Sequence, residues 1–152
     1  MPKPRSERSS RARSLSRRLA MQALYQWQLT GQSFAELRNQ FTGDEGYPDV
    51  DAEYFGQLLQ GVVEAASELD ALLAEWIDRP VAQLDPVEHA VLLIGLQELR
   101  QHPEVPYRVV LNEGVELAKK FGATEGHKFI NAVLDRAARQ LRAAEQAASR
   151  RV

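Results

Sequence analysis

The stretch Lys119 to Asn131, KKFGATEGHKFIN, twice sets an aromatic beside a lysine, at Lys120-Phe121 and Lys128-Phe129, around two glycines. A lysine and a ring side by side can hold a phosphate and stack a base, which are the two contacts that single-stranded nucleic acid offers. The plainer alternative is that the lysines are solvated and both rings are core. Lys119 and Phe121 precede the Gly122 stop, so Phe121 sits in a last-turn position that packs inward. Phe129 lies at the margin of the next apolar stripe and is the better stacking platform. The start of that last helix also offers N–H groups and the positive end of a dipole to a phosphate.

Catalytic chemistry finds little to work with. The chain carries no Walker A sequence, no Gly-rich dinucleotide fingerprint, no Gly-x-Ser-x-Gly and no His-Glu-x-x-His. His89, His102 and His127 fall on three separate segments without metal-ligand spacing. Glu113 and Glu116, at i and i+3, read as a solvated face beside Lys119 and Lys120 rather than as a carboxylate pair. No catalytic residue, metal site or cofactor is expected. With no cysteine there is no disulfide framework, which fits a reducing compartment. The longest apolar run, Ala90 to Leu96, is too short to span a membrane, and no apolar stretch follows the N-terminal charges as in a secretory signal. Cytoplasm is the expected location.

Charge is distributed unevenly. The net −2 conceals seven Lys/Arg against one acid in Met1 to Arg18, three against fifteen in Leu19 to Tyr107, and nine against five from Arg108 onward. Basic ends and an acidic middle point to a polyanion at the ends.

The elements that must position these groups are helices. Residues 1–10 are polar and Pro/Ser-rich and read as a disordered basic arm. A first helix starts near Arg11 to Ser14 and runs to Leu29, with Leu15, Leu19, Ala23 and Trp27 as its buried stripe. Arg17, Met21 and Tyr25 step by four on the opposite side, which places an arginine and a tyrosine on the face the core does not use. Ser33 to Glu36 forms a capping-box pattern for a short second helix. A third runs from Asp51 to about Ala66, burying Phe55, Leu58, Leu59, Val62 and Val63. Ser67 to Asp70 caps a fourth helix or marks a kink, and Pro80 stops the pattern of Leu69, Leu72, Leu73, Trp76 and Ile77. Asp85-Pro86 opens a fifth helix, apolar nearly all round and therefore central. Tyr107 to Phe121 and a last helix capped by Thr124 complete the set, the last with a stripe of Ile130, Val133, Leu134, Ala137 and Leu141. The expectation is an all-α fold of about seven helices in two small packed bundles. The domain runs from 11 to 145, with a subdivision near 80–106 and a flexible tail at 146–152.

Three segments, RLAMQALYQWQ, DVDAEYFGQLLQGV and VPYRVVLNEGVELAKKFGATEGHKFINAVLD, closely resemble the NusB family of bacterial transcription antitermination factors. The likeness covers about Arg11 to Arg142. It implies binding of the boxA element of nascent RNA together with a small ribosomal-subunit protein, NusE. It further implies that this complex joins other Nus factors on RNA polymerase to suppress premature termination, notably in ribosomal RNA operons. The family's arginine-rich motif matches Arg11, Arg13 and Arg17, with Arg18 added. Its ALY tyrosine is Tyr25, and its lysine–phenylalanine pairs match Lys119, Lys120 and Phe121, then Lys128 and Phe129. Leu93 and Gln97 replace an arginine and a tyrosine of the family pattern, and Ala132 a glycine. Two other readings follow from the same residues: a protein-interaction module of the transcription complex without specific RNA binding, and a stand-alone relative of the N-terminal domain of a ribosomal RNA methyltransferase. For the basic partner that the resemblance implies, the acidic middle supplies Glu53, Glu64, Asp70, Glu75 and Glu88 as candidate contacts. The sequence leaves open whether the free protein is a monomer or a homodimer.

Overall fold

A computed structural model describes residues 5–150, with side chains for residues 7–149; residues 1–4 of the expected arm and 151–152 of the expected tail lie outside that range. Seven α-helices make up the described chain: α1 (Arg5–Thr30), α2 (Phe34–Phe41), α3 (Ala52–Leu73), α4 (Pro86–Gln101), α5 (Tyr107–Phe121), α6 (Gly126–Leu141) and α7 (Ala143–Arg150). They fall into two compact units, one ending at Glu64 and the other beginning at Ala65. The boundary therefore lies inside α3 and not at the 80–106 linker. Ser67 to Asp70 opens no new helix, because Leu69 and Leu73 continue the buried stripe of α3 without a break.

In the first unit α1 begins at Arg5, earlier than the sequence pattern suggests, since nothing after Pro4 breaks a helix. It ends where Gly31 takes φ +69 and its N–H reaches Trp27 O at 2.8 Å, a left-handed stop that glycine adopts without strain. The predicted capping box at Ser33 and Glu36 is formed in both directions. One polar contact fixes α3 to α1. Ser16, fully buried, has Oγ 2.8 Å from Ala12 O and 3.0 Å from Asp51 O, and accepts the Asp51 N–H at 2.9 Å. Asp51 in turn accepts the Tyr54 N–H at 3.1 Å and so caps α3. Buried Leu19, Leu24, Leu37, Phe41, Phe55, Leu58 and Leu59 form the apolar interior, while Leu15, Trp27 and Val63 of the expected stripes are only half-buried.

The second unit is built around α4. Asp85 Oδ1 accepts the N–H groups of Val87 and Glu88 at 2.9 and 3.1 Å, with Pro86 at the first helical position. Every residue from Ala90 to Leu99 is buried, so α4 is the central helix the sequence predicts. Leu93 and Gln97 are among them, which places those departures from the family pattern in the interior. Leu134 of α6 wedges between α4 and α5. A Cβ at Gly95 would meet its Cδ2 at 2.7 Å, and one at Gly114 its Cδ1 at 2.9 Å, so both helices approach α6 only because they lack a side chain there.

The far end of α4 is closed by a buried arginine. Arg142 donates to Glu98 O, Leu99 O, His102 O and Val105 O at 3.2, 2.9, 2.9 and 2.9 Å, and pairs with Glu145 Oε1 at 2.6 Å. Glu98 O already accepts the His102 N–H at 3.0 Å, whereas Leu99 O would need the N–H of residue 103, which is a proline; the guanidinium serves both. Glu145 Oε2 accepts the Tyr107 N–H at 2.9 Å, so the same pair holds the start of α5. These bonds explain why α7 continues the chain as a helix with Gln146 buried, where the sequence suggests a flexible tail.

Two outcomes follow. Arg142→Met keeps much of the volume but leaves buried carbonyls and Glu145 without their donor, and should lower the unfolding free energy by about 3–5 kcal/mol, read by denaturant melts. Gly56 sits inside α3 with open space where a Cβ would go. Gly56→Ala should therefore gain about 0.5–1 kcal/mol, whereas Gly95→Ala, driven into Leu134, should lose about 1–3 kcal/mol from overpacking, less whatever helix propensity returns.

Candidate nucleic-acid interface

The arginine-rich stretch of α1 is held against the start of α3. Through the Ser16–Asp51 contact, Tyr54 is carried under α1, and the Arg13 and Arg17 guanidinium carbons stand 4.3 and 5.5 Å from its ring centroid. Arg11 and Arg18 are exposed. Arg18 also lines a cleft of about 220 Å³, whose apolar wall is Leu15, Leu19 and Val50 and whose polar side is Gln22 and Asp44.

The face expected to be free of the core is not free. Arg17 is 3% exposed and Met21 is buried, leaving only Tyr25, at 40%, in the open. Buried Ser16, Leu19, Ala20, Ala23 and Leu24 show the reason: α1 is enclosed through its middle on more than one side, so a single apolar stripe does not describe it. Arg17 is thus a buried structural cation over a ring and not a solvated one.

In the second unit Lys119 and Lys120 lie exposed in the last turn of α5, and Lys119 Nζ is 3.7 Å from Glu116. Phe121 is half-buried, not core as its last-turn position suggests, because Gly122 leaves the helix directly after it in extended conformation. Lys128 is exposed and pairs with Glu125 at 2.5 Å. Phe129 is half-buried, as the spacing predicts, and the Arg79 guanidinium carbon lies 4.5 Å from its ring centroid. Arg79 was not among the residues singled out from sequence. It sits in the turn after α3, far from Phe129 along the chain, and no periodicity links them.

The start of α6 also differs from expectation. Thr124 is not the cap. Glu125 holds the N-cap position with φ 67, and its side chain makes no capping hydrogen bond. The Glu88 carboxylate of α4 instead packs against Gly126, where a Cβ would collide with its Oε1. A phosphate approaching this helix end meets an acid already there. Burial, with the neighbouring Asp85 carboxylate second, holds the Glu88 carboxyl above its ordinary range, and Arg79 pulls it partly back.

Of the other candidate acids, Glu53 and Glu64 are exposed in the first unit and Glu75 is exposed in the second. Asp70 is half-buried, and its Oδ1 lies 2.7 Å from His89 Nε2. Among the described residues no group of three or more His, Cys, Asp or Glu could hold a metal ion, and no helix is long and apolar enough to cross a membrane.

An all-helical protein in two units, with cation–ring pairs in each, is the class these features define. Solved structures of that class match closely. The T. maritima NusB gives a TM-score of 0.73 at 24% identity, covering 92% of this chain and 94% of that one. A crystal structure of the antitermination factors NusB and NusE in complex with dsRNA gives 0.66 at 26%, covering 82% and 93%. The NusB family model matches residues 14–139, and the chain belongs to the NusB family. Its relatives include transcription antitermination proteins NusB of a Marinomonas species, 50% identical over 98% of this chain and 88% of the relative, and of Hahella chejuensis, 51% identical over 91% and 93%.

The Glu88 environment has a testable sign. A carboxyl whose folded-state pKa is raised binds its proton more tightly in the folded state, so its ionisation opposes folding as pH rises above the ordinary value of 4.5. Glu88→Gln should therefore melt about 1–3 °C above wild type at pH 7, and the two curves should converge as pH falls below that value.

Proposed function

We propose that this chain is a transcription antitermination factor that binds boxA-type nascent RNA together with the small ribosomal-subunit protein NusE, and acts with it on RNA polymerase, notably in ribosomal RNA operons. The observation that carries the reading is the near-50% identity, along almost the whole chain, to transcription antitermination proteins NusB. A structural neighbour seen with NusE and dsRNA supports the choice of partners. Catalysis has no part in this reading, and its expected location is the cytoplasm.

The side chains divide the work. Arg11, Arg13 and Arg18 supply charge at the first unit, with Tyr25 as its exposed ring; Lys119, Lys120, Lys128 and the half-buried rings of Phe121 and Phe129 supply the second. Arg17 contributes by holding Tyr54. Exposed Glu53, Glu64 and Glu75, with Asp70 and Glu88, suit a basic ribosomal protein, and like charge would keep RNA away from them.

The test is a titration of boxA-type RNA and a scrambled control, with and without the ribosomal protein. Tighter boxA binding in the partner's presence is expected, and by linkage RNA must tighten the protein–protein contact by the same factor. Arg11→Ala with Arg18→Ala should reduce the slope of log K against log salt by about 1.4, at roughly 0.7 per lost phosphate contact on a single strand. Glu53, Glu64 and Glu75 changed to lysine should weaken partner binding and leave RNA binding by the protein alone unchanged or improved. Equal affinity for boxA and scrambled RNA under all conditions would overturn the reading.

A further inference from the structure

The Phe129 ring is covered on one face. Arg79 lies over it, 4.5 Å from guanidinium carbon to ring centroid. The arginine comes from the turn after α3 and the ring from the first turns of α6, and each is separately anchored. Arg79 Nε donates to Asp78 Oδ1 at 3.0 Å, its one hydrogen-bond partner among the described residues. Arg136, two turns beyond Phe129 on α6, donates Nη1 to Trp76 O at 2.9 Å and so ties the start of the same turn to the helix that carries the ring. Arg79, with Arg136 adding to it, keeps the Asp78 carboxyl below its ordinary range, so that anchor stays ionised at neutral pH.

A guanidinium carbon 4.5 Å from a ring centroid is in cation–ring contact on that side, and the rest of the group remains available. The Arg79 side chain is 45% exposed despite the contact. Guanidinium planes, like aromatic rings, stack unpaired bases in single-stranded RNA. The plane also carries N–H donors suited to a phosphate oxygen. A base approaching the covered face of the ring therefore meets arginine before phenylalanine.

We propose that Arg79 is a further RNA-contact residue: its guanidinium, seated on Phe129, takes an unstacked base on its outer face and donates its Nη hydrogens to the adjoining phosphate. Phe129 is then the positioning residue beneath it, and Asp78 sets the plane's orientation. This inference rests on the RNA-binding reading given above. It accounts for how one half-buried ring and one surface arginine make a preformed stacking layer that neither makes alone.

Affinity for boxA-type RNA, with the ribosomal protein present, is to be measured for wild type, Arg79→Ala, Arg79→Lys, Phe129→Ala and the Arg79→Ala/Phe129→Ala pair, alongside thermal melts of each. Arg79→Ala should weaken binding about five- to a hundredfold with the melting temperature nearly unchanged. Arg79→Lys keeps the charge but lacks the plane, so it should preserve the salt slope and still lose most of the affinity. The double variant should bind no worse than the weaker single one, because both substitutions remove the same layer. Arg79→Ala binding at or above wild type while Phe129→Ala is weakened would mean the base sits directly on the ring, which overturns the proposal and leaves the RNA-binding reading intact. Full activity of Arg79→Lys, or additive losses in the pair, would also overturn it. A wild-type protein that does not distinguish boxA from scrambled RNA overturns both.

Discussion

A charged group taken out of water has to be matched donor by donor, and the buried guanidinium of Arg142 meets that requirement by gathering four backbone carbonyls and one carboxylate. The carbonyls belong to the end of α4 and to the His102–Pro106 connection; Glu98 O and His102 O also accept backbone N–H groups, and the guanidinium completes the set. The arrangement makes one satisfied cluster. With the end of α4 fixed, Glu145 sets where α5 begins, and the direction of α5 decides where Lys119, Lys120 and Phe121 emerge. On the other side, Leu134 finds its place against Gly95 and Gly114 only while the three helices keep that spacing. The candidate side chains of the second unit are thus placed by a contact that none of them makes.

The first unit solves the same problem with a hydroxyl. Ser16 is small enough to be fully buried and polar enough to bond the backbone at Asp51, which lets α3 start immediately beside α1. Tyr54 follows three residues later, and its ring gives Arg13 and Arg17 a surface to lie on. An arginine-rich helix would otherwise repel itself along one side; ring contacts spread that charge without neutralising it. The result is a mixture of exposed cations and one buried cation within a single short motif.

How much of this could be read beforehand depended on whether the cause was local. Caps announced themselves: Ser33 with Glu36 and Asp85 with Pro86 work within a few residues, and both stand as predicted. So did the enclosed character of α4, whose apolar run leaves no polar face. The family likeness carried the fold class and the family assignment. What escaped were features set by distant residues. Arg142 looks like one more terminal arginine until it meets α4, more than forty residues back. Arg79 has no pattern connecting it to Phe129. Arg17 satisfied a four-residue spacing that pointed outward, but α1 is enclosed on more than one side. The Ser67–Asp70 cap signal was real in composition and was overridden by the continuing stripe of Leu69 and Leu73, since packing outweighs a propensity of under a kilocalorie. At Thr124 the signal lost to a left-handed Glu125, a conformation no residue pattern there foretells.

Arg142 also has a position in time. A chain grows from its N-terminus, and α4, α5 and α6 are all complete before this residue is added. Until then Leu99 O and Val105 O lack the guanidinium donor, and the start of α5 has no carboxylate to hold it. Nascent α4 carries the apolar run 90–96 without that closure, so this is also the interval in which it is most exposed to wrong associations. The second unit therefore completes its closure only after these three helices have been made. It closes with the clasp that comes last, and a chain interrupted before that residue would be left both unlatched and sticky.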